Sequence, residues 1–370
     1  MSTPEVVIFG ASGYTGKLIA WHLAERGIPF IAAGRDQKRL EEQMASVPEL
    51  KGHDYECVAV DLEEQALTKL FSGRKIVYNV VGPFMQLSEP VVRACLNAGV
   101  HYLDTTGEQD WMLMLREKYH KPFQEKGLLL CPANAFMWTA GEIAAEVALE
   151  ESDIDSLDIL YIADSATSVA STASFLRMCC RDQYYLKNHE LEVWPHTTSY
   201  NVSVPGEHPT YQALPWSGAG EPTWYLDDDR VRNCSVLVAF RRRDVMAWVV
   251  ERITDWYENY RHLPRAEQEP VFNEWGWGLV SEEPPREDPD LNRSTLSCMG
   301  RGRTKGVNVV LRGNCPYIQA GVWAAEAVRR ILIGKLRATG YASPCKAFGH
   351  RELLAATAEK GYLTWEKQTV

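Results

Sequence analysis

Short apolar runs alternate with longer amphipathic stretches through the first 136 residues of the chain. Runs of this kind predict buried strands, and they lie at 5–9, 29–34, 55–62, 75–81, 100–105 and 127–133. The stretches between them carry apolar residues at helical spacing, as Leu18, Ile19 and Leu23 illustrate. Apolar strands separated by helices are typical of a parallel sheet covered on both faces. The pattern therefore predicts an α/β fold, with a doubly wound Rossmann domain over residues 1–136.

The pattern becomes more mixed after residue 136. It predicts two strands at 157–163 and 234–240, and a hairpin at 294–300 with 307–313. It also predicts three helices, one opened by a capping box at Thr139 and running through Val147, the others at 170–188 and 244–260. Two further segments, 205–229 and 273–292, are rich in proline, glycine, tryptophan and acidic residues. Loops of this length are functional lids or disordered segments, and the sequence leaves both open. Residues 137–314 are therefore expected to form an inserted α+β domain, the candidate substrate domain.

The end of the chain returns to a clear helical pattern. Residues 316–332 predict a helix with Pro316 in its first turn and Gly334 just beyond its end. One face of this helix consists of small and apolar residues, which suits close packing. We expect residues 315–370 to form a C-terminal helical segment that returns to the Rossmann domain.

The turn after the first strand has three glycines at a spacing of three, in the sequence GASGYTG. Such a turn lets the backbone approach a pyrophosphate at the N-terminus of the following helix, where N–H groups are free. The spacing differs from the usual GxGxxG, so the alternative is a tight turn without a ligand. The six alternating elements around the turn favour the nucleotide. The candidate phosphate-binding residues are Gly10, Ser12, Gly13, Tyr14, Thr15 and Gly16.

The residue after the second strand distinguishes the two nicotinamide dinucleotides. A site for NAD places an acidic residue there, which bonds the ribose 2′-hydroxyl, whereas Arg35 is suited to a 2′-phosphate. Lys38 adds positive charge nearby, and Asp36 can face away as the cap of the next helix. The sequence therefore predicts NADP(H) as cofactor.

The third and fourth strands end in further candidate residues. Asp61 follows the third strand, where a carboxylate can meet the adenine amino group or cap the next helix. The turn Gly82, Pro83 and Phe84 follows the fourth strand, at the edge where the nicotinamide half is expected; the alternative is a plain loop.

Asp104, Glu108 and Asn134 are the candidate catalytic residues, because they follow the fifth and sixth strands at the same edge. Two carboxylates there could orient a substrate or relay a proton, and Asn134 could hydrogen-bond a substrate carbonyl. The structural alternatives are a helix cap, a loop acid and a turn residue. No tyrosine is followed four residues later by lysine, so the proton donor of the short-chain dehydrogenases is missing.

Composition narrows the class of partners. The net charge is −10, which disfavours non-specific binding to nucleic acid. No apolar stretch approaches the ~20 residues that span a bilayer, and no secretory signal pattern is seen, so a cytoplasmic protein is expected. The nine cysteines form no CxxC pair and predict no metal site. A small-molecule substrate is the expected partner, and the oligomeric state, a homo-oligomer included, is left open.

Four stretches together resemble the saccharopine dehydrogenase-like oxidoreductases: GASGYTGKLIAWHLAERG, AAGRDQKRL, VVGPFMQLSEPVVRACLNAGVHYLDTTGE and GYASPCKAFG. The resemblance is dense over residues 5–136 and returns near 315–350, and the branch of the trans-acting enoyl reductases is the most similar. It implies an NADP-dependent reductase whose Rossmann domain is interrupted by a substrate domain. That branch suggests a polarised C=C bond as the acceptor, whereas amino-acid branches reduce imines.

Two functions follow as alternatives. The first is an NADPH-dependent reductase of an activated C=C or C=N bond in a small, fairly apolar molecule. The second is a regulatory protein that binds NADP(H) without catalysis, because the usual proton donor is missing. The aromatic-rich middle region favours the first, since an enclosed apolar pocket suits a substrate.

Overall fold

The computed structural model of the chain describes residues 4–369. These residues group into two compact units. The first unit contains the residues up to Thr106, Asp110–Thr139 and Tyr317–Thr357. The second contains Gly107–Gln109, Ala140–Pro316 and the residues from Ala358 onward. The chain thus leaves the first unit, builds most of the second and then returns.

The strands in chain order are β1 Val6–Phe9, β2 Phe30–Gly34, β3 Tyr55–Ala59, β4 Ile76–Asn79, β5 His101–Asp104, β6 Leu129–Cys131, β7 Ile154–Asp164, β8 Tyr184–Lys187, β9 Glu190–Val193, β10 Tyr200–Val202, β11 Tyr211–Ala213, β12 Asn233–Phe240, β13 Arg293–Gly302, β14 Gly306–Gly313, β15 Gly340–Tyr341 and β16 Leu363–Thr369. The α-helices are α1 Tyr14–Glu25, α2 Gln37–Ala45, α3 Glu64–Phe71, α4 Phe84–Leu87, α5 Glu89–Ala98, α6 Gln109–Glu125, α7 Phe136–Ala148, α8 Val169–Cys179, α9 Glu221–Trp224, α10 Arg243–Asp255, α11 Arg265–Leu279, α12 Pro316–Leu332, α13 Pro344–Phe348 and α14 His350–Ala358.

The first unit is built on a parallel sheet with the strand order β15-β6-β5-β4-β1-β2-β3. Val6 of β1 lies opposite both Phe30 of β2 and Ile76 of β4, so β1 is a central strand. Every residue of β1 and β2 is buried, as expected for a parallel sheet with helices on both faces. The strand order reverses between β1 and β4, where such folds bind dinucleotides. The predicted Rossmann fold is confirmed.

Helix α12 packs directly against α1. The rings of Tyr14 and Tyr317 meet edge to face, with centroids 5.0 Å apart. One turn further along each helix, a Cβ atom on Gly321 would lie only 3.0 Å from the carbonyl oxygen of Leu18. The two helices therefore run in the same direction, with their N-termini side by side. The predicted helix over 316–332 and its closely packed small face are both confirmed.

The second unit is built on a mixed sheet with the order β16-β14-β13-β7-β12-β8-β9. The central strands β7 and β12 are parallel to each other, and the remaining neighbours are antiparallel. The predicted hairpin is present as β13 and β14. A cluster of apolar side chains covers one face of this sheet: Leu160, Ile162, Val204, Tyr211, Ala213, Ala239 and Val310.

Parts of both proline- and glycine-rich segments belong to the buried structure of the second unit, whereas most of 281–292 is exposed. Most side chains between residues 211 and 225 are buried, and Leu214 bridges to Val238 of β12, so this segment belongs to the core. The second segment begins inside α11, where a Cβ atom on Gly276 would lie 3.0 Å from the Cα atom of Ala173 in α8. In both segments, glycine or tryptophan residues take part in packing.

Two sequence-based boundaries require correction. The predicted helix over 170–188 is wrong beyond Cys179, because Tyr184–Lys187 form β8 and pair with β9. The expected return of all of 315–370 to the Rossmann domain is wrong at its end, because β16 pairs with β14 along seven residues. In both cases a short strand is stabilised by a partner strand rather than by its own sequence.

Candidate functional site

The glycine turn joins β1 to α1 in the middle of the first sheet. Gly10 has φ +94°, and a Cβ atom on it would lie 2.8 Å from Val81 Cγ2. A Cβ atom on Gly16 would lie 2.6 Å from the carbonyl oxygen of Gly10. Gly13 is the N-cap of α1, has no capping side chain, and faces open space apart from that same oxygen at 3.3 Å. The turn is thus tight on its inner side and open at the N-terminus of α1.

The end of β2 has the features expected of a 2′-phosphate site. Arg35 is exposed immediately after the strand. The Asp36 carboxylate accepts a hydrogen bond from the backbone N–H of Arg39 at 2.9 Å and so caps α2, as expected. Lys38 is exposed beside Arg35, with its Nζ 3.9 Å from Glu42. The Ser12 hydroxyl lies close to Gly34, 3.9 Å from where its Cβ would stand, and therefore also borders this strand end.

The residues after β3 and β4 are placed at the same edge of the sheet. Asp61 is exposed and does not cap α3, because Glu63 occupies the N-cap position. Phe84 begins α4 after Gly82 and Pro83, and its ring lies 3.2 Å from where a Gly82 Cβ would stand. The fourth strand therefore ends in a compact turn in which glycine is required for the Phe84 ring to fold back.

A buried hydrogen-bond network ties β4, β5 and β6 together behind these turns. The Asn79 amide donates to the Ser88 hydroxyl at 2.8 Å and to Tyr102 Oη at 3.1 Å, and Asn79 Oδ1 accepts from the N–H of Val81 at 3.1 Å. Ser88 Oγ donates to the carbonyl oxygen of Val81 at 3.1 Å, so it supports the turn after β4 instead of capping α5. The network fixes the strand ends.

Asp104 is the centre of that network. Its carboxylate accepts four hydrogen bonds of 2.9 Å, from Tyr102 Oη, Trp111 Nε1 and the backbone N–H groups of Thr106 and Ala133. The side chain is fully buried, and burial raises its pKa to about 6 in spite of these donors. With every acceptor position engaged, Asp104 holds the ends of β5 and β6 in register.

Glu108 has a separate set of partners in the second unit. Its carboxylate forms a buried ion pair with Arg177 of α8, and it accepts a hydrogen bond from the Ser174 hydroxyl at 2.7 Å. Both Glu108 and Arg177 are at most 1% exposed. The two carboxylates that the sequence suggested as a pair are therefore engaged by different partners.

Asn134 differs from both carboxylates. Its side chain is fully buried, yet neither Oδ1 nor Nδ2 has a hydrogen-bond partner. Its backbone is held on both sides, because its N–H donates to the carbonyl oxygen of Asp104 at 2.9 Å and its own carbonyl accepts from Tyr78 Oη. Buried amides without a hydrogen-bond partner in the protein are rare, so this carboxamide is a candidate ligand-binding group.

Sequence reasoning missed several residues of these networks. Tyr317 contacts the glycine turn from a helix three hundred residues away in the chain. Tyr78 and Asn79 are the polar members of an otherwise apolar strand, which was the available signal. Arg177 lies in the middle of a predicted amphipathic helix. The sequence contained no signal for its role, because its partner Glu108 is distant in the chain.

The second unit holds a buried acid of its own. The Tyr161 hydroxyl donates to Glu221 Oε1 at 2.8 Å and accepts from the N–H of Gly141 at 2.6 Å. Glu221 is fully buried, Oε2 has no partner, and burial raises its pKa to about 8, with Glu142 nearby adding to the effect. This carboxyl is therefore protonated at neutral pH.

A small, partly open pocket also lies in the second unit. Its lining is largely apolar and aromatic, with Trp194, His196, Leu214, Pro215, Val250 and Ile253 among the residues. Such a surface suits a small apolar molecule.

The residues of the first unit fit NADP(H). Gly13 leaves the N-terminus of α1 without a side chain, as close approach of a pyrophosphate to the backbone requires. Arg35 supplies the charge for a 2′-phosphate, and the unpaired Asn134 amide offers a donor and an acceptor at the opposite half of the sheet. These residues are therefore suited to the two ends and the middle of a dinucleotide.

Two general searches gave negative results. Within residues 4–369, no group of three or more His, Cys, Asp or Glu side chains is placed to hold a metal ion. None of the helices in that same range is both long and apolar enough to cross a membrane.

Two family models match the chain. Residues 139–366 match a family of unknown function, DUF5938. Residues 6–128 match the saccharopine dehydrogenase NADP binding domain. The second match confirms NADP(H) as the cofactor and agrees with the resemblance found in the sequence.

Individual relatives match over the first part of the chain. The lipid droplet localized protein of Caenorhabditis elegans is 32% identical over 141 residues, which is 36% of this chain and 33% of that protein. The saccharopine dehydrogenase-like oxidoreductase of Mus musculus is 29% identical over 145 residues, 35% of this chain and 34% of that protein. The trans-acting enoyl reductase of Mycobacterium ulcerans (strain Agy99) is 31% identical over 135 residues, which is 36% of this chain and 32% of that protein. The chain spans about a third of the length of these relatives.

A solved structure extends the similarity to the whole chain. Saccharopine dehydrogenase (L-Glu forming) from Saccharomyces cerevisiae superimposes with a TM-score of 0.61 over 100% of both chains, at 11% sequence identity. At that identity the likeness shows the fold.

Proposed function

The chain belongs to the DUF5938 family and carries the NADP(H)-binding domain of the saccharopine dehydrogenase-like oxidoreductases, and from that premise we propose that it is an NADPH-dependent reductase of an activated double bond. The observation that carries the proposal is the glycine turn followed by Arg35, a site for a reducing cofactor in the first unit. The acceptor we propose is a small, fairly apolar molecule with a C=C bond conjugated to a carbonyl, or a related imine.

Three observations support this acceptor. A trans-acting enoyl reductase is among the relatives of the first unit. The Tyr–Lys pair that serves carbonyl reduction in short-chain dehydrogenases is missing from the sequence. The small pocket of the second unit carries apolar and aromatic side chains, Trp194, Leu214 and Ile253 among them, beside the polar Arg181 and Gln183, and its apolar part suits an apolar portion of the acceptor.

Bound NADPH supplies a hydride, and the protein supplies position and charge stabilisation. In the reaction we propose, the β-carbon of the acceptor gains the hydride, the C=C π-bond breaks, and its electrons form an enolate. A solvent proton then reaches the α-carbon, so the net change is addition of H⁻ and H⁺. Asn134 Nδ2 and the backbone N–H groups beyond Gly82 are the donors that we propose for the enolate oxygen.

The two carboxylates take supporting roles in this proposal. Asp104 accepts the N–H of Ala133 and thereby positions the neighbouring Asn134. Glu108 fixes α8 through Arg177 and so positions part of the substrate unit. Asp61 is proposed to meet the adenine amino group, and Gly82, Pro83 and Phe84 to border the nicotinamide. We also propose that the protein is cytoplasmic. The localisation of a tagged chain in living cells would test this.

The cofactor part is tested by binding. NADPH should bind at least tenfold more tightly than NADH, a difference of ~1.4 kcal/mol, because Arg35 pairs with the 2′-phosphate. Arg35→Ala should remove most of that preference. Lys69→Ala, which removes the same charge from the exposed side of α3, should leave it unchanged. Equal affinities for the two cofactors in the unaltered protein would contradict the assignment.

The reaction is tested with a panel of enones, enoyl thioesters, imines and simple ketones. Loss of NADPH is followed by absorbance, and products are identified by mass spectrometry. We expect turnover with conjugated C=C or C=N acceptors. Alcohol formed only from simple ketones would refute the reaction type, and tight NADPH binding without any turnover would favour the regulatory protein.

A further inference from the structure

The Asn134 carboxamide offers more than the reaction proposed above requires. An enolate oxygen needs only a donor, and Nδ2 would provide it. Oδ1 would then remain buried without a partner, which is unfavourable. A ligand group that donates a hydrogen bond to Oδ1 removes that cost.

The backbone of this residue is fixed independently of its side chain. The N–H of Asn134 donates to the carbonyl oxygen of Asp104, and its carbonyl accepts from Tyr78 Oη. Its neighbour Ala133 has φ +58° and donates its own N–H to Asp104 Oδ1 at 2.9 Å. The side chain is therefore held at a defined position by residues that form no hydrogen bond with its amide group, an arrangement suited to a ligand.

The topology of the first sheet indicates which part of the cofactor lies nearby. A dinucleotide binds across the point where the strand order reverses, with one nucleotide over each half of the sheet. Arg35 at the end of β2 marks the half that takes the adenosine with its 2′-phosphate. Asn134 follows β6 on the other half, beyond β4 and β5. The nicotinamide half therefore faces this residue.

We propose that Asn134 Oδ1 accepts a hydrogen bond from the carboxamide NH₂ of the nicotinamide, while Nδ2 donates to the carbonyl oxygen of the acceptor. The second half of this statement rests on the proposed reductase, and the first half does not. In the ternary complex both amide atoms are paired. Asn134 then acts as a bridge that aligns the acceptor with the cofactor ring.

Three ligands separate this contact from the rest of the cofactor site. NADP⁺ has the amide donor, its 3-acetylpyridine analogue lacks it, and 2′-phospho-ADP-ribose lacks the whole ring. The unaltered protein should bind NADP⁺ about fivefold to tenfold more tightly than the analogue, as for one hydrogen bond of about 1–1.5 kcal/mol. The variant Asn134→Ala should bind NADP⁺ and the analogue with equal affinity. It should bind 2′-phospho-ADP-ribose as tightly as the unaltered protein does.

A second variant tests which atom is involved. Asn134→Asp keeps an acceptor oxygen and loses the NH₂ group, so it should retain the preference for NADP⁺ over the analogue. Asn134→Ala should unfold at nearly the same denaturant concentration as the unaltered protein, because Asn134 has no side-chain hydrogen bond in the protein to lose. Asn134→Asp buries a carboxyl group and is expected to be less stable, so its binding is measured where the folded fraction is complete.

The assignment is overturned if Asn134→Ala weakens the binding of all three ligands equally, since that pattern would indicate a structural role. It is overturned as well if the variant binds all three ligands as tightly as the unaltered protein does. It is also overturned if the unaltered protein does not distinguish NADP⁺ from the analogue. These measurements require no turnover, so a failed acceptor panel would refute the reductase and leave the nicotinamide contact standing.

Discussion

The glycines of the first turn lack side chains for two different physical reasons. A Cβ atom on Gly10 would stand 2.8 Å from Val81, which follows β4, and one on Gly16 would stand 2.6 Å from the backbone of the turn. Gly13 has φ −79°, an ordinary value, and little around it in the protein. Its missing side chain therefore serves the ligand rather than the fold.

Substituting each of these glycines by alanine separates the two reasons. Gly16→Ala should lower the free energy of unfolding by about 3 kcal/mol, because its methyl group meets backbone atoms that cannot move away. Gly13→Ala should change that free energy by less than about 1 kcal/mol, as for other substitutions at a helix N-cap. It should nevertheless weaken NADPH binding at least tenfold, since the methyl group occupies the approach of the pyrophosphate. Urea unfolding and fluorescence titration measure both, and normal NADPH binding by Gly13→Ala would show that the phosphates lie elsewhere.

Polar residues at strand ends show what local sequence can and cannot provide. Their positions at the carboxyl edge of the sheet were predictable for Asp104 and Asn134, because strands and helices alternate regularly before them. Their states were not predictable. Asp104 is saturated by four donors, whereas Asn134 has none, and the difference depends on Trp111, Tyr102 and Tyr78 folding back onto the strand ends.

At the scale of elements, the first sheet followed from the sequence because each of its strands is an apolar run with clear turn residues around it. The short strands outside the first sheet could not be predicted from the sequence. β8 and β16 have few buried residues of their own, and each exists because β9 or β14 lies alongside. The pairing of α1 with α12 likewise depends on Gly321 permitting close contact, although only the small face of α12 was visible in the sequence.

At the scale of the whole molecule, the chain forms two units with separate buried polar groups. The first has the saturated carboxylate Asp104, and the second has the acid Glu221. Glu221 is enclosed by Tyr161 of β7, Glu142 of α7, Cys234 of β12 and Cys298 of β13, none of which carries a positive charge. Burying this acid in its neutral form links the stability of the second unit to pH.

The folded and unfolded states of the chain bind the Glu221 proton differently, and this difference determines how stability changes with pH. The unfolded chain ionises the carboxyl near pH 4.5, whereas the folded chain retains the proton up to about pH 8. The stabilising contribution is thus complete below pH 4.5 and is lost as the pH rises through 8, by at most about 1.4 kcal/mol per pH unit. Glu221→Gln keeps the oxygen that accepts from Tyr161 and cannot ionise, so it should flatten the decline in stability between pH 6 and pH 8.

Urea unfolding at several pH values measures this effect, with the exposed Glu258→Gln as the control for an ordinary carboxylate. The control should show the same pH dependence as the unaltered protein. An unchanged slope in Glu221→Gln would mean that Glu221 is already ionised in the folded protein.

The sequence by itself determined the Rossmann domain, the glycine turn and the position of Arg35. Each of these depends on residues close together in the chain: apolar runs, helix caps and turn glycines. The tertiary structure alone decided which polar side chains are satisfied, that residues 211–225 pack in a core, and that β16 joins the second sheet. Those outcomes depend on partners tens to hundreds of residues away, and hydrogen bonds and close packing between such partners leave no periodic signal in the sequence.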